Sequence, residues 1–376
     1  MSARTTSRPP WTALATWTTW MPLASLVVLA ASWGRHPGHV VNALIAIFLI
    51  GAVLAAVHHA EVVAHRVGEP YGSLVLAVAV TVIEVALIVT LMVTSDKDTA
   101  TLARDTVFAA VMITLNGIVG LALVVGALRH HLAVFNAEGS GSSLATVVTL
   151  AGLTLVLPTF TTSAEGPEFT GAQLTFAALA SAALYGMFVF TQTVRHRDFF
   201  LPVPTGVPGR DPVDEDGDGH ADPPSTRTAL ISLGLLVVAL IAVVGLAKVE
   251  SPAIEDAVAA VGFPGGFVGV VIALLVLLPE SIAAVRAAAR DKVQISLNLA
   301  YGSAMASIGL TIPAIAIASI WLDGPLVLGL DGTQTVLLAM SVIVSVLTVV
   351  PGRSKPLNGG VHLVLLAAYV FLSIKP

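Results

Sequence analysis

The chain contains no cysteine and very little charge. Without cysteine it can have no disulfide framework, no thiolate metal site and no thiol chemistry. Charged residues make up 11% of the 376 and hydrophobic residues 56%, whereas roughly a quarter of a soluble domain is charged. A water-soluble globule is therefore excluded. Alternating apolar and polar segments of about ten residues are also missing, which excludes a membrane barrel. The interiors of the long apolar runs lack basic residues, so an acid buried there has no ion-pair partner in its own surroundings. The formal charge of −5 lies almost wholly between those runs and says little about partners. No nucleic-acid partner is expected, and the sequence does not fix the oligomeric state.

What the chain has instead is a series of apolar runs that reach the roughly 20 residues needed to cross a bilayer. Runs separated by Gly, Pro and charged residues predict eleven spans, near 13–33, 40–66, 71–94, 105–128, 143–161, 171–194, 227–250, 265–289, 294–320, 333–351 and 359–375. Arg4 and Arg8 before an apolar stretch ending at Ala30-Ala31-Ser32 imitate a signal peptide. That stretch is taken as an uncleaved first helix, because the charge distribution is consistent with its retention. With the N-terminus in the cytoplasm, thirteen Lys and Arg fall inside and five outside, as the positive-inside rule requires. The C-terminus is then outside, and the hydrophilic segment 195–226 is cytoplasmic.

Across that segment the chain repeats itself. Ala60-Glu61 through Pro70 matches Ile254-Glu255 through Pro264 without a gap, Val67-Gly68 falling on Val261-Gly262. Ala103-Arg104-Asp105 recurs as Ala289-Arg290-Asp291. Each half holds five spans, and an odd number inverts the second half relative to the first. The expected fold is an all-α polytopic membrane protein of about eleven transmembrane helices, one extra N-terminal helix plus two inverted five-helix repeats. Its regions are 1–39, the tail and extra helix; 40–194, the first repeat; 195–226, an acidic linker; and 227–376, the second repeat. Inverted repeats around a polar site at mid-membrane are an architecture of secondary transporters.

Two acids occupy matching places in the halves. Glu84 is the only charge in the run 71–94, and Glu280 the only charge between Gly266 and Val285. A carboxylate at that depth costs at least about 2.5–3.5 kcal/mol on insertion scales and persists mainly where it has a function. Two such groups can hold a divalent cation or protons, but not both comfortably, because a carboxyl removed from water is neutral unless a cation compensates it. That competition is the basis of antiport. Pro279, directly before Glu280, removes a backbone donor and frees a carbonyl one turn earlier, breaking or kinking its helix. Freed carbonyls suit Ca²⁺, which takes six to eight oxygens.

Supporting residues follow from the same helices and the next ones. Thr81 lies one turn before Glu84. Asn116 is the only amide in 105–128 and falls opposite Gly302 in the repeat. Ser303 and Ser307 share one helix face; their alternative role is small-residue packing between helices. Glu61 and Glu255 are candidate vestibule acids or solvated helix-end charges. His58, His59 and His65 are interfacial histidines or members of a proton relay.

At these residues the sequence resembles the calcium/proton antiporter family of the cation/calcium exchanger superfamily, in its bacterial branch. The resemblance is carried by Glu61 through Leu74, Val80-Thr-Val-Ile-Glu84, Leu278-Pro-Glu280-Ser, Leu297 through Ser307, and Gly352 through Gly360, and it covers about 40–375. It implies Glu84 and Glu280 as acids that alternately bind Ca²⁺ and H⁺, no cofactor, and export of cytoplasmic Ca²⁺ across the bacterial inner membrane. Some bacterial members accept Na⁺ or K⁺. The wider family's motif Gly-Asn-Ala-x-Glu has no amide counterpart before either glutamate here, which leaves ion selectivity open. Na⁺(K⁺)/H⁺ exchange on the same fold is the alternative. A passive channel would need a continuous polar path, and a non-transporting sensor would leave the membrane glutamates unexplained.

In the linker, Asp214, Asp216, Asp218 and Gly219 fit positions 1, 3, 5 and 6 of an EF-hand-type loop, with Asp222 at position 9. Position 12 is Ser225 rather than Glu. A weak cytoplasmic Ca²⁺ loop and a solvated acidic linker both remain open.

Overall fold

The computed structural model describes residues 17–35, 38–68, 71–94, 99–203, 224–322 and 324–375, without the side chains of 71–77 and 94. Asp214, Asp216, Asp218 and Asp222, together with the N-terminal tail through residue 16, lie outside the described residues. The described chain is almost entirely helical. Its helices are α1 (Trp17–Ser32), α2 (His39–Val67), α3 (Tyr71–Thr94), α4 (Leu102–His130), α5 (Ala137–Phe160), α6 (Gly171–Arg195), α7 (Thr226–Ala260), α8 (Phe267–Ala289), α9 (Val293–Ala318), α10 (Gly332–Val349) and α11 (Pro356–Ile374). Nine of these are long and apolar enough to cross a membrane; α1 and the Val78–Val93 part of α3 are shorter apolar helices.

Local chemistry sets the ends. Asn136 caps α5 by accepting from the backbone N–H groups of Glu138 and Gly139 at 2.9 and 3.0 Å. Thr170 with Gln173, and Asp331 with Gln334, form capping boxes at the starts of α6 and α10. After α2 and α7 the chain turns on the repeat-matched glycines Gly68 and Gly262, both at φ +75°, a conformation that a side chain would strain.

One helix runs beyond its expected span. The sequence predicts a span ending near 250. Instead α7 runs through Pro252 to Ala260, so Glu250 and Glu255 lie on one continuous helix. Pro279 is likewise inside an unbroken α8. It removes one backbone donor, leaving the Leu275 carbonyl without its helical partner, and it does not end the helix.

The chain divides into two compact units, Met1–Ala79 with Pro223–Ala253, and Val80–Asp222 with Ile254–Pro376. In the first, α1 lies against α2. A side chain at Gly51 would meet Met21 Cε at 2.6 Å, Ser25 donates to the Phe48 carbonyl at 3.2 Å, and His59 Nε2 donates to the Thr18 carbonyl at 3.0 Å. Leu29 of α1 covers Gly245 of α7, and Lys248 Nζ stands 5.1 Å over the Trp33 ring.

In the second unit, α8 packs along α4 and α9, and α11 along α4. The last contact depends on small residues: a Cβ on Gly359 would lie 2.6 Å from the Gly120 carbonyl. Short backbone pairings tie the connections together reciprocally. The α4–α5 connection pairs with the α10–α11 connection through β1 (Ala133–Val134) and β2 (Arg353–Ser354), antiparallel, and Phe135 N–H donates to the Gly352 carbonyl at 3.0 Å. At the counterpart connections, Glu168 bridges Val327 and Gly329 N–H donates to the Pro167 carbonyl at 2.9 Å. Exchange of this kind, first-half element i with second-half element j and the reverse, is what a pseudo-two-fold axis produces.

Candidate cation and proton site

Glu84 is 2% exposed on α3. A second-half helix meets it. Ser307 Oγ donates to Glu84 Oε2 at 3.0 Å, and Thr311 Oγ1 donates to the same oxygen at 3.2 Å. Oε1 is buried and has no hydrogen-bond partner among the described residues. Thr81 Oγ1, one turn earlier on α3, is buried in the same condition. A carboxylate offers about four lone-pair positions. Two are engaged on one oxygen, while the other oxygen keeps its capacity for a proton or a cation.

The break in α9 places Thr311. Pro313 supplies no N–H to the Gly309 carbonyl, and the helix is interrupted at Leu310 between Val293–Gly309 and Thr311–Ala318. Gly309 allows this segment close to α6, since a Cβ there would meet Tyr185 Cβ at 2.7 Å. Ser303, Ser307 and Thr311 follow one another at four-residue intervals, with Ser303 half-buried and the other two buried. The sequence singles out the two serines and misses Thr311, although the spacing that joins the serines continues to it.

Glu280 is half-buried on α8 beside Pro279, and α8 packs along α9. Ser281, the next residue, back-bonds to the Leu277 carbonyl at 2.7 Å. Among the described residues no three His, Asp or Glu side chains gather as a metal cluster. A cation held at Glu84 would therefore draw on hydroxyls, backbone carbonyls and water as well as carboxylate.

Asn116 is fully buried, but its hydrogen bonds run to Ser341 Oγ (2.8 Å) and to His362 Nδ1 (3.3 Å), not to Glu84. Glu61 is on an exposed part of α2. Glu255 lines a cavity of about 230 Å³ with Thr99, Thr101, Asp105 and Phe263. Asp105 is held there by Arg104 at 2.8 Å and by Thr101 Oγ1 at 2.8 Å. His59 Nε2 is committed to the Thr18 carbonyl of α1 at 3.0 Å. Glu250, at the end of its expected span, is 3% exposed within α7.

The family described as "Sodium/calcium exchanger protein" matches residues 38–194 and 231–375. Among curated proteins, y4hA of Sinorhizobium fredii, named for ionic transport, is 46% identical over 332 residues, 87% of each chain. The sodium-potassium/proton antiporter ChaA of Escherichia coli is 34% identical over 353 residues, 93% of each. Among solved structures, native YfkE matches with a TM-score of 0.71 over 96% of this chain and 99% of that one, at 15% identity. That likeness concerns the fold, and the two halves of the family match fall on either side of the acidic linker. The chain belongs to the sodium/calcium exchanger protein family.

Proposed function

We propose that the protein is a secondary antiporter of the bacterial inner membrane, exporting cytoplasmic Ca²⁺ in exchange for H⁺ by alternating access. Glu84 and Glu280 are the acids that hold cation and proton in turn. The observation that carries this reading is the state of Glu84. It is buried, it lies in a span without basic residues, and one oxygen is fixed by Ser307 and Thr311 while the other has no partner among the described residues. Such a group is uncharged when protonated and needs a cation when it is not.

The exchange follows from that requirement. With Glu84 and Glu280 both ionised, two negative charges match one Ca²⁺, and the serine and threonine hydroxyls, the Leu275 carbonyl and water complete its shell. When Ca²⁺ leaves, protons neutralise the carboxyls, so the site crosses the membrane loaded with one or the other. Ser303 and Thr81 are further lining hydroxyls. Glu61 and Glu255 are candidate vestibule acids, and Asp214, Asp216, Asp218 and Asp222 a candidate weak cytoplasmic Ca²⁺ loop.

A second reading, Na⁺ or K⁺ exchanged for H⁺ at the same acids, is favoured by the similarity to a sodium-potassium/proton antiporter along nearly the whole chain. Proteoliposomes with an imposed pH gradient distinguish them. Ca²⁺ movement that collapses the gradient, with little response to Na⁺ or K⁺, supports the first reading. The reverse pattern supports the second. Cation flux that leaves the gradient untouched removes both and makes the protein a channel.

A further inference from the structure

Away from Glu84, the second unit contains a buried polar chain that the exchange reaction does not use. It runs through α4, α10 and α11. Thr348 Oγ1 and His362 Nε2 are 3.2 Å apart, and His362 Nδ1 and Asn116 Oδ1 are 3.3 Å apart. Asn116 Nδ2 donates to Ser341 Oγ at 2.8 Å, and Ser341 Oγ donates to the Leu337 carbonyl at 2.8 Å. The chemistry of the acceptors sets its direction. With the Asn116 amide oriented as it stands, Oδ1 accepts, so the consistent arrangement has the proton on Nδ1 of His362 and Nε2 accepting from the threonine hydroxyl. Every donor along the line then has an acceptor. His362 and Asn116 are both 0% exposed, and a line of this kind inside a membrane helix bundle is costly unless complete.

Asn116 is not on a regular helix. Ile113–Ile118 is a π turn within α4, with Val119 N–H reaching back to the Thr114 carbonyl. A π turn holds one extra residue, and such turns inside α-helices recur at functional sites. If it relaxed to α-helix, the residues on one side would rotate by about 100° relative to those on the other. The turn packs against α8, α9, α10 and α11. It thus touches the helices that carry Glu280 and Ser307, and the grip on its amide comes from α10 and α11.

We propose that His362 is a positioning residue for ion exchange: through Asn116 it locks the π turn of α4, and that lock sets the placement of α8 and α9 at the cation site. The inference rests on the reading that Glu84 and Glu280 hold the exchanged ions. It predicts an effect on cation affinity from a side chain that makes no hydrogen bond to either glutamate.

The test uses full-length protein in proteoliposomes at fixed pH, with Ca²⁺, Na⁺ and K⁺ each assayed as the cation. His362→Gln retains a donor toward Asn116 and an acceptor toward Thr348, whereas His362→Leu retains neither. The expected result is that His362→Leu raises the half-saturating cation concentration roughly tenfold while His362→Gln stays within about twofold of wild type. Asn116→Leu combined with His362→Leu removes both ends of the broken bond and regains thermal stability, but not affinity. A His362→Leu protein with wild-type half-saturation overturns the proposal, as does a His362→Gln protein as impaired as His362→Leu. Recovery of affinity in the double variant also overturns it, by reducing the chain to polar satisfaction. Glu84→Gln, assayed alongside, keeps the two ideas apart. Undiminished exchange there overturns the site assignment, while the His362 comparison still reads affinity wherever the cation binds.

Discussion

At the scale of residues, Glu84 is defined by its two hydroxyl donors. Hydrogen bonds to charged groups contribute about 1.5–3 kcal/mol, and Ser307 and Thr311 direct theirs at one oxygen. If Glu84 holds the exchanged cation, as proposed, removing either favours the proton over the cation at that carboxyl. Ser307→Ala should therefore weaken apparent cation affinity by about tenfold, equivalent to about 1.4 kcal/mol, and the deficit should shrink as pH rises and proton competition fades. Thr311→Val should behave alike. Because both hydroxyls serve Oε2, the double variant should lose less than the two single losses combined, as measured by half-saturation across pH. An unchanged pH profile in Ser307→Ala would mean that its hydroxyl only fills space. The two glutamates stand out in the sequence because charge is conspicuous in an apolar run. Thr311 is overlooked, although the four-residue spacing of Ser303 and Ser307 continues to it, because two residues before Pro313 it resembles an ordinary helix end.

At the scale of elements, two prolines act differently although they look alike in the sequence. Pro313 accompanies a real interruption of α9, whereas Pro279 sits in a continuous α8. If the Leu275 carbonyl serves the cation, Pro279→Ala restores its helical hydrogen bond and withdraws it from the site. The variant should melt at a higher temperature yet bind the cation several-fold more weakly. A rise in melting temperature with unaltered affinity would confine the proline to helix shape. Hydropathy reveals the span within α7 but not that its helix continues through Pro252 to Ala260. The π turn around Asn116 leaves no mark in the sequence at all. It is decided by the packing of four other helices, and that is why Asn116 reads as a site ligand until its bonds to Ser341 and His362 are seen.

At the scale of the whole molecule, composition and period identify a polytopic helical protein, and the repeat of Glu61 through Pro70 at Glu255 through Pro264 announces two related halves. The reciprocal pairing of connections, Ala133 with Ser354 and Glu168 with Val327, could not be read in advance, because two-residue strands have no pattern of their own. Orientation rests on charge asymmetry. The absence of native cysteine makes it directly testable with single-cysteine variants. Ser225→Cys should react with a membrane-impermeant thiol reagent only after cells are opened, and Ser163→Cys should react in intact cells. The opposite pattern would invert the molecule and the direction of transport with it.

On the proposed mechanism, cation and proton compete for the same carboxyl oxygens. Proton release on cation binding tests it most directly, measured with purified protein titrated with Ca²⁺, Na⁺ or K⁺ in weakly buffered solution. Wild type should release protons as the cation binds, and Glu84→Gln and Glu280→Gln should each release fewer and bind more weakly. Cation binding without proton release, or release undiminished in both variants, would contradict it.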